Sequence, residues 1–502
     1  MAEAIGVCIG EPGVREFDFV ASKRIALGDY VEIFYEGYKV LGFVRSISRI
    51  NKHIEGVLEP QEIESVKEIT SGSSLFKGTV SVLGDPHKNM FIPRIPPEPG
   101  TKIYRASSET LKLVFSGDRD KRIKIGHLLT RPEVDVYIDV DSIVSRHLAI
   151  LAVTGGGKSN TVSVLLEGLL SKNGTVLIFD MHGEYVNFGA EGKVKRIDLV
   201  LNPTRLSYHE FRLFANVDDS AYIQDRYLRK AFKKVVEDIE NGEVQAGEFW
   251  EKLENELANY KANNEFKDDW KSITGVLNKI EDTREFYSEL FDPLATPIVE
   301  QIEFGCINVI DLSHVDEKIA DIVVSHVLRN VLEKRKLFVR YGKGLPFPLL
   351  MVLEEAHILA SSQINTRSKY WISRIAREGR KFGLGLCLVT QRPKALDSNT
   401  LSQANNMIIL RLVEPGDQRY VQQASESLSS DLVEQLPSLN VGEALVMGRM
   451  IPVPALVKID LAKFKRSGND ISAIKEWRSF VKEKEKTKKE LEEFMSFDET
   501  EI

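Results

Sequence analysis

The chain is poor in cysteine: Cys8, Cys306 and Cys387 are the only thiols among its 502 residues. Three scattered thiols make neither a disulfide framework nor a zinc-ligand set, and they point to a reducing compartment. No apolar run approaches the roughly 18 residues that a bilayer span needs, which excludes a membrane-spanning helix. The opening Met1-Ala2-Glu3-Ala4-Ile5-Gly6 lacks the basic-then-apolar order of a secretion signal, so a soluble cytoplasmic protein is expected. Excess positive charge is missing as well. With 67 basic against 74 acidic side chains the net charge is −7, which rules out a coat on nucleic acid. Any contact with a polyanion must come from a local patch or a lined channel. What the chain does have is apolar material, 43% of its residues, ample for a large core.

The first hundred residues read as β-structure. Ile5–Ile9, Glu16–Ala21, Tyr30–Tyr35 and Lys39–Ile47 are rich in β-branched and aromatic residues and are parted by turns such as Glu11-Pro12-Gly13 and Leu27-Gly28-Asp29. Short strands without helices predict a small closed barrel over 1–105. The proline-dense run Ile92 to Gly100 reads as a stiff strap, and 106–145 as a connector. From about residue 140 the pattern changes. His147–Val153, Thr175–Phe179, Cys306–Leu312, Pro348–Leu353, Leu384–Thr390 and Met407–Leu412 are continuous apolar runs alternating with helical stretches. Strands buried on both faces of a parallel sheet look like this. The expected fold is therefore α/β, with a parallel-sheet core over 146–204 and 301–465. The charged segment 205–300 carries Ile223, Tyr227, Leu228, Phe232, Val235 and Ile239 at helical spacing, and reads as a helical subdomain inserted into that core. A hairpin is expected over Gly442–Arg449 and Ile451–Ile459, and a charged helical tail over 466–502.

The sharpest chemical signal is Thr154-Gly155-Gly156-Gly157-Lys158-Ser159-Asn160-Thr161, between an apolar strand and a helical stretch. A phosphate-binding loop needs glycines so that backbone N–H groups can turn inward. It also needs a lysine for the β- and γ-phosphates, a hydroxyl for Mg²⁺ and a helix N-terminus behind them. All are present except the first glycine of the pattern, where Ala152 stands. Such a site also needs acids. Leu349 to Leu353 is followed by Glu354-Glu355-Ala356-His357, and side chains at a strand's end alternate in direction. Glu354 is accordingly expected to hold the metal with Ser159, and Glu355 to activate the attacking water. The next strand ends at Gln391-Arg392-Pro393, where Gln391 can sense the γ-phosphate. Ahead of it, Arg377-Glu378-Gly379-Arg380 offers an arginine finger, Arg380 first and Arg377 second. Asp180, in Asp180-Met181-His182-Gly183-Glu184-Tyr185, ends another strand of the same crest and is a candidate to position the metal's water or the nucleophile. His182 has no companion ligand at metal spacing.

Taken together, these motifs resemble the HerA family of hexameric DNA-pumping ATPases, in the FtsK/HerA branch of RecA-like phosphate-loop motors. The residues that carry the resemblance are Thr154 to Thr161, Asp180 to Tyr185, Glu354 to His357, and Arg374-Ile375-Ala376-Arg377-Glu378-Gly379-Arg380-Lys381-Phe382-Gly383 through Gln391-Arg392-Pro393. It runs nearly end to end, and the N-terminal barrel and inserted helices fit it too. The resemblance implies a RecA-like core, ATP with Mg²⁺ at subunit interfaces, and a homohexameric ring around duplex or partly opened DNA. It further implies work on double-strand break ends with a NurA-type nuclease, and in archaea with other recombination proteins. By the same analogy Arg146 and Lys465-Arg466-Ser467-Gly468 contact nucleotide, alongside Gly155, Gly156, Gly157, Lys158, Ser159 and Asn160. Arg367, Lys369 and Lys394 flank the core strands and are candidates to line the channel. Two other readings stay open: a ring ATPase acting on polypeptide, and a nucleotide-gated scaffold for a nuclease with little turnover.

Overall fold

The computed structural model describes residues 3–51, 74–189, 192–262, 268–425 and 428–464, with scattered positions between 473 and 484. Among them the strands form two sheets.

The first sheet is a closed barrel of β1 (Gly6–Ile9), β2 (Glu16–Ala21), β3 (Tyr30–Tyr35), β4 (Tyr38–Asn51), β5 (Ser74–Gly84) and β6 (Lys102–Arg105), in the order β1-β2-β5-β4-β3-β6. Alternation builds it. In β2, Phe17, Phe19 and Ala21 are buried while Glu16 and Asp18 are exposed. The inward residues meet Val31, Ile33, Val40, Val44, Val80 and Ile103 in a core of their own, and closure leaves no unpaired sheet edge.

The second sheet has eleven strands. In spatial order they are β11 (Val194–Ile197), β12 (Ile307–Asp311), β10 (Val176–Asp180), β13 (Leu349–Leu353), β14 (Leu384–Thr390), β9 (Leu148–Leu151), β15 (Asn406–Ile409), β16 (Glu443–Gly448), β17 (Ala455–Ile459), β7 (Arg122–Leu128) and β8 (Arg131–Asp139). From β11 to β15 every pairing is parallel; from β15 to β8 every pairing is antiparallel. Strands β9, β10, β12, β13, β14 and β15 are buried along their whole length, as continuous apolar runs between two helical layers must be. Within the parallel part, β14 lies between β9, which leads into the glycine loop, and β13, which leads into the paired glutamates.

Residues 106–145 are more than a connector. They contribute the helix Ser108–Ser116 and then β7 and β8, which extend the large sheet beyond β17. The period-2 alternation responsible is visible in the chain: Ile123, Ile125, Val134, Val136 and Ile138 are buried, with polar residues between. The inserted segment forms helices Tyr208–Phe214, Tyr222–Glu240, Phe249–Ala262 and Trp270–Phe286. Tyr227, Leu228, Phe232 and Val235 face inward from the second of these. The barrel rests on the large sheet. The Tyr30 hydroxyl donates to Pro454 O at 2.8 Å, and Arg45 pairs with both Glu16 and Asp431.

Candidate nucleotide site

The site lies at the carboxyl ends of β9, β14, β13 and β10, the crevice where parallel α/β sheets bind ligands. After β9 the chain turns through Gly155 (φ +75°) and Gly157 (φ +100°), conformations that a side chain would strain. A Cβ on Gly157 would sit 3.1 Å from the backbone nitrogen of Gly442, and that same N–H donates to Gly156 O. The helix Lys158–Leu170 begins here with no side-chain cap. Its first-turn N–H groups and the positive end of its dipole are thus left for an anion.

Lys158 is buried at this helix start, and its ammonium meets both glutamates: 3.3 Å to Glu354 Oε2, and a shorter contact to Glu355 Oε1. Burial disfavours the charged lysine, but the two carboxylates more than offset it and raise its pKa. The glutamates diverge in character. Glu354 is so deeply buried that its carboxyl is pushed up despite Lys158 and the Tyr185 hydroxyl, which donates to Oε1 at 2.9 Å. Glu355 is buried too, yet His357, Lys158 and Gln391 outweigh that and hold its carboxyl down at about 2. Its backbone is left-handed, φ +45° and ψ +47°, a strained conformation for a residue with a Cβ and one found mostly at functional sites. From the end of β14, Gln391 Nε2 donates to Glu355 Oε1 at 2.9 Å, while Gln391 Oε1 accepts from the Thr154 hydroxyl at 2.5 Å. The lysine, both glutamates and the glutamine therefore form one bonded cluster. No hydrogen bond engages Ser159 Oγ among the described residues.

A triphosphate with a divalent cation fits this donor set. The glycine turn carries no side chains, the uncapped helix presents N–H groups, and one cation and two carboxylates stand beside them.

Two expectations change, for Asp180 and for two of the channel candidates. Asp180 does not reach toward phosphate: its fully buried carboxylate accepts N–H groups from His182 (3.3 Å), Glu184 (3.2 Å) and Tyr185 (2.7 Å). It shapes the loop that delivers Tyr185 to Glu354. Asn160 is also committed elsewhere, bonding Asp460 O at 2.8 Å and the Ala462 N–H at 3.0 Å. Its side chain clamps the segment after β17, while its backbone N–H stays in the first turn of the helix, facing the cradle. Arg146 ends the helix Val140–Arg146 before β9 begins, so it stands at the opposite edge of the sheet from its own glycine loop. Of the channel candidates, Arg367 sits on Asp321 and Lys369 on Asp397 (2.9 Å) and Ser361 O. Lys394 is exposed and makes no ion pair among the described residues. Lys465 to Gly468 lie outside the described residues.

Arg380 and Arg377 are exposed just before β14 starts. Glu378 is taken by Arg374 and Lys336, so neither arginine has an ion partner among the described residues. Gln391 follows the other end of the same strand. Seven residues of strand at about 3.3 Å each put roughly 20 Å between Arg380 and its own crevice. Arg146 shares that far edge, where its helix packs against 379–382. Sequence reasoning gave no role to Thr154, Tyr185 or His357, and it missed the Gly442 loop, which has no motif.

A glycine turn before a helix, acids beyond a strand one place removed, and a glutamine on the strand between them define a RecA-like phosphate-loop ATPase. The family described as "Helicase HerA, central domain" matches residues 123–331, and "HAS barrel domain" matches residues 5–85. A probable helicase of Methanocaldococcus jannaschii is 42% identical over 95% of this chain and 94% of its own. The DNA double-strand break repair helicase HerA of Saccharolobus solfataricus is 40% identical over 98% of each. The chain belongs to the HerA family. Among solved structures, VirB4 of Thermoanaerobacter pseudethanolicus aligns with a TM-score of 0.49 and 15% identity, over 68% of this chain and 97% of that one.

Proposed function

We propose that the protein is an ATP-driven DNA translocase or helicase that works as a homohexameric ring on double-strand break ends beside a NurA-type nuclease. The observation that carries the reading is the bonded cluster of Lys158, Glu354, Glu355 and Gln391, with Arg377 and Arg380, which have no ion partner among the described residues, on the opposite edge. ATP enters the cradle of Gly155, Gly156 and Gly157, and Lys158 leaves the glutamates for phosphate oxygens. Ser159 Oγ and Glu354 would hold Mg²⁺, which would supply neutralisation of phosphate charge. Glu355, freed at Oε1, accepts the proton of the attacking water. Arg380 of a neighbouring copy stabilises the charge that develops, since its own crevice is out of reach. Gln391 registers loss of the γ-phosphate and passes it to the crest loops, where Lys394 and the exposed Arg392 meet DNA phosphates.

The test is ATP turnover with and without linear duplex DNA, alongside Glu355→Gln. Turnover should rise with DNA. The variant should bind ATP normally and hydrolyse it at least about 100-fold more slowly, the loss expected of a general base. Stimulation by polypeptide alone would replace DNA as the track, and absence of turnover would leave a scaffold.

A further inference from the structure

We infer that His357 is the positioning residue of the water-activating carboxylate: it holds Oε2 of Glu355 while Oε1 changes partners. The inference rests on the reading of Glu355 as the general base and adds a residue to which no role has been given.

The two oxygens of Glu355 have different neighbours. Oε1 contacts Lys158 and accepts from Gln391 Nε2. Both of those groups have other work once phosphate is present, because an ammonium and an amide beside a cradle turn to the stronger anion. Oε2 has neither; it lies 3.3 Å from His357 Nδ1. That nitrogen is also 3.0 Å from Thr390 Oγ1, the fully buried last residue of β14. The Thr390 hydroxyl oxygen in turn accepts the Arg392 N–H at 3.0 Å, so it is itself fixed. A lone pair on Nδ1 facing a carboxylate oxygen would repel it, so the tautomer this arrangement requires carries its proton on Nδ1.

Geometry explains the pairing. The left-handed turn at Glu355 starts the short helix Ala356–Leu359 and returns the ring of His357 to the side on which Glu355 lies. Without that contact, the departure of Lys158 and Gln391 would leave a carboxylate on a strained turn free to rotate about its side-chain bonds. With it, one oxygen is pinned to the sheet and the other faces the water. His357 touches neither phosphate nor water; it acts through Glu355.

The experiment is steady-state ATP turnover of the full chain, with nucleotide affinity measured separately, for Glu355→Gln, His357→Ala, His357→Asn and His357→Gln. An asparagine amide nitrogen occupies the place of Nδ1, whereas that of glutamine falls where Nε2 was. His357→Ala and His357→Gln should lower kcat roughly 10- to 100-fold, the scale of a misplaced catalytic group. KM and ATP affinity should stay within about twofold, and His357→Asn should recover most of kcat. The inference is overturned if kcat is unchanged in His357→Ala, if Asn and Gln fall equally, or if the loss appears in KM. Should His357→Ala fail to fold, the Asn and Gln pair still decides. Wild-type turnover in Glu355→Gln would instead remove the underlying reading. A dead Glu355→Gln beside an unimpaired His357→Ala removes the histidine alone.

Discussion

Tyr185 shows how a motif can act at one remove. Asp180 spends its carboxylate on the N–H groups of its own loop, and the loop sets the Tyr185 hydroxyl on Glu354. Tyr185→Phe removes the neutral donor from a buried carboxylate whose pKa burial already raises. We expect a stability loss of about 1–3 kcal/mol, the cost of an unsatisfied buried acceptor, read from urea unfolding at pH 8. The sequence displayed this tyrosine without its role, because spacing along a chain does not say which strand end a loop will bend toward. Lys158, Glu354, Glu355 and Gln391 were legible for a different reason: each follows an apolar run, and parallel packing brings the ends of such runs to one crest. For Asn160 the motif gave the position but not the side-chain direction: three residues into the helix, the side chain points to another face.

Among the elements, the glycine turn and the helix Val140–Arg146 permit definite expectations. Gly157→Ala would force a Cβ into a left-handed turn and against the Gly442 backbone. A destabilisation of about 1–3 kcal/mol is expected, with a matching loss of nucleotide binding, seen by thermal melting with and without ATP. His147 follows that helix and is buried, with Nδ1 accepting the Leu386 N–H (3.1 Å) and Nε2 donating to Ala376 O (2.9 Å). Burial, aided by nearby Arg146, outweighs the Ala376 bond and lowers its pKa from 6.5 to about 4. Protonation therefore favours the unfolded chain. The contribution of His147 is complete above about pH 6.5 and fades as pH falls toward 4, by up to about 3 kcal/mol. Urea midpoints at pH 7 and 4.5 should differ less in His147→Gln than in wild type; an equal difference would show that this histidine does not set the acid limit. The elements themselves were mostly legible. Fully buried strands announce themselves as unbroken apolar runs, and Glu16–Ala21 and Tyr30–Tyr35 fall where β-branched and aromatic residues place them. β7 and β8 were passed over although they alternate clearly, since they stand between two stronger patterns.

At the scale of the molecule, the barrel and the large sheet are joined by contacts distant in sequence: Tyr30 with Pro454, and Arg45 with Asp431. No local pattern could have foretold either. The segment carrying Asp431 follows the helix Pro415–Ala424, which holds the start of the 393–395 turn through Asp417 and Lys394 N. The barrel thus rests on neighbours of the strand that ends at Gln391. The separation of Arg380 from Lys158 was legible by contrast, since Arg380 precedes the strand that ends at Gln391. It yields a mixing experiment. Lys158→Ala and Arg380→Ala copies should each be inactive alone, and combined they should regain measurable turnover, because some junctions then pair an intact crevice with an intact arginine. A mixture no more active than its components would place Arg380 outside the chemistry.

If Arg380 serves a neighbour's crevice as proposed, that roughly 20 Å gap along β14 also makes a solitary copy half an enzyme. Its rate per molecule should collapse on dilution well before the fold itself gives way, and climb again as copies are concentrated. On that reading the protein would not squander fuel while it wanders alone: assembly itself would be the ignition key.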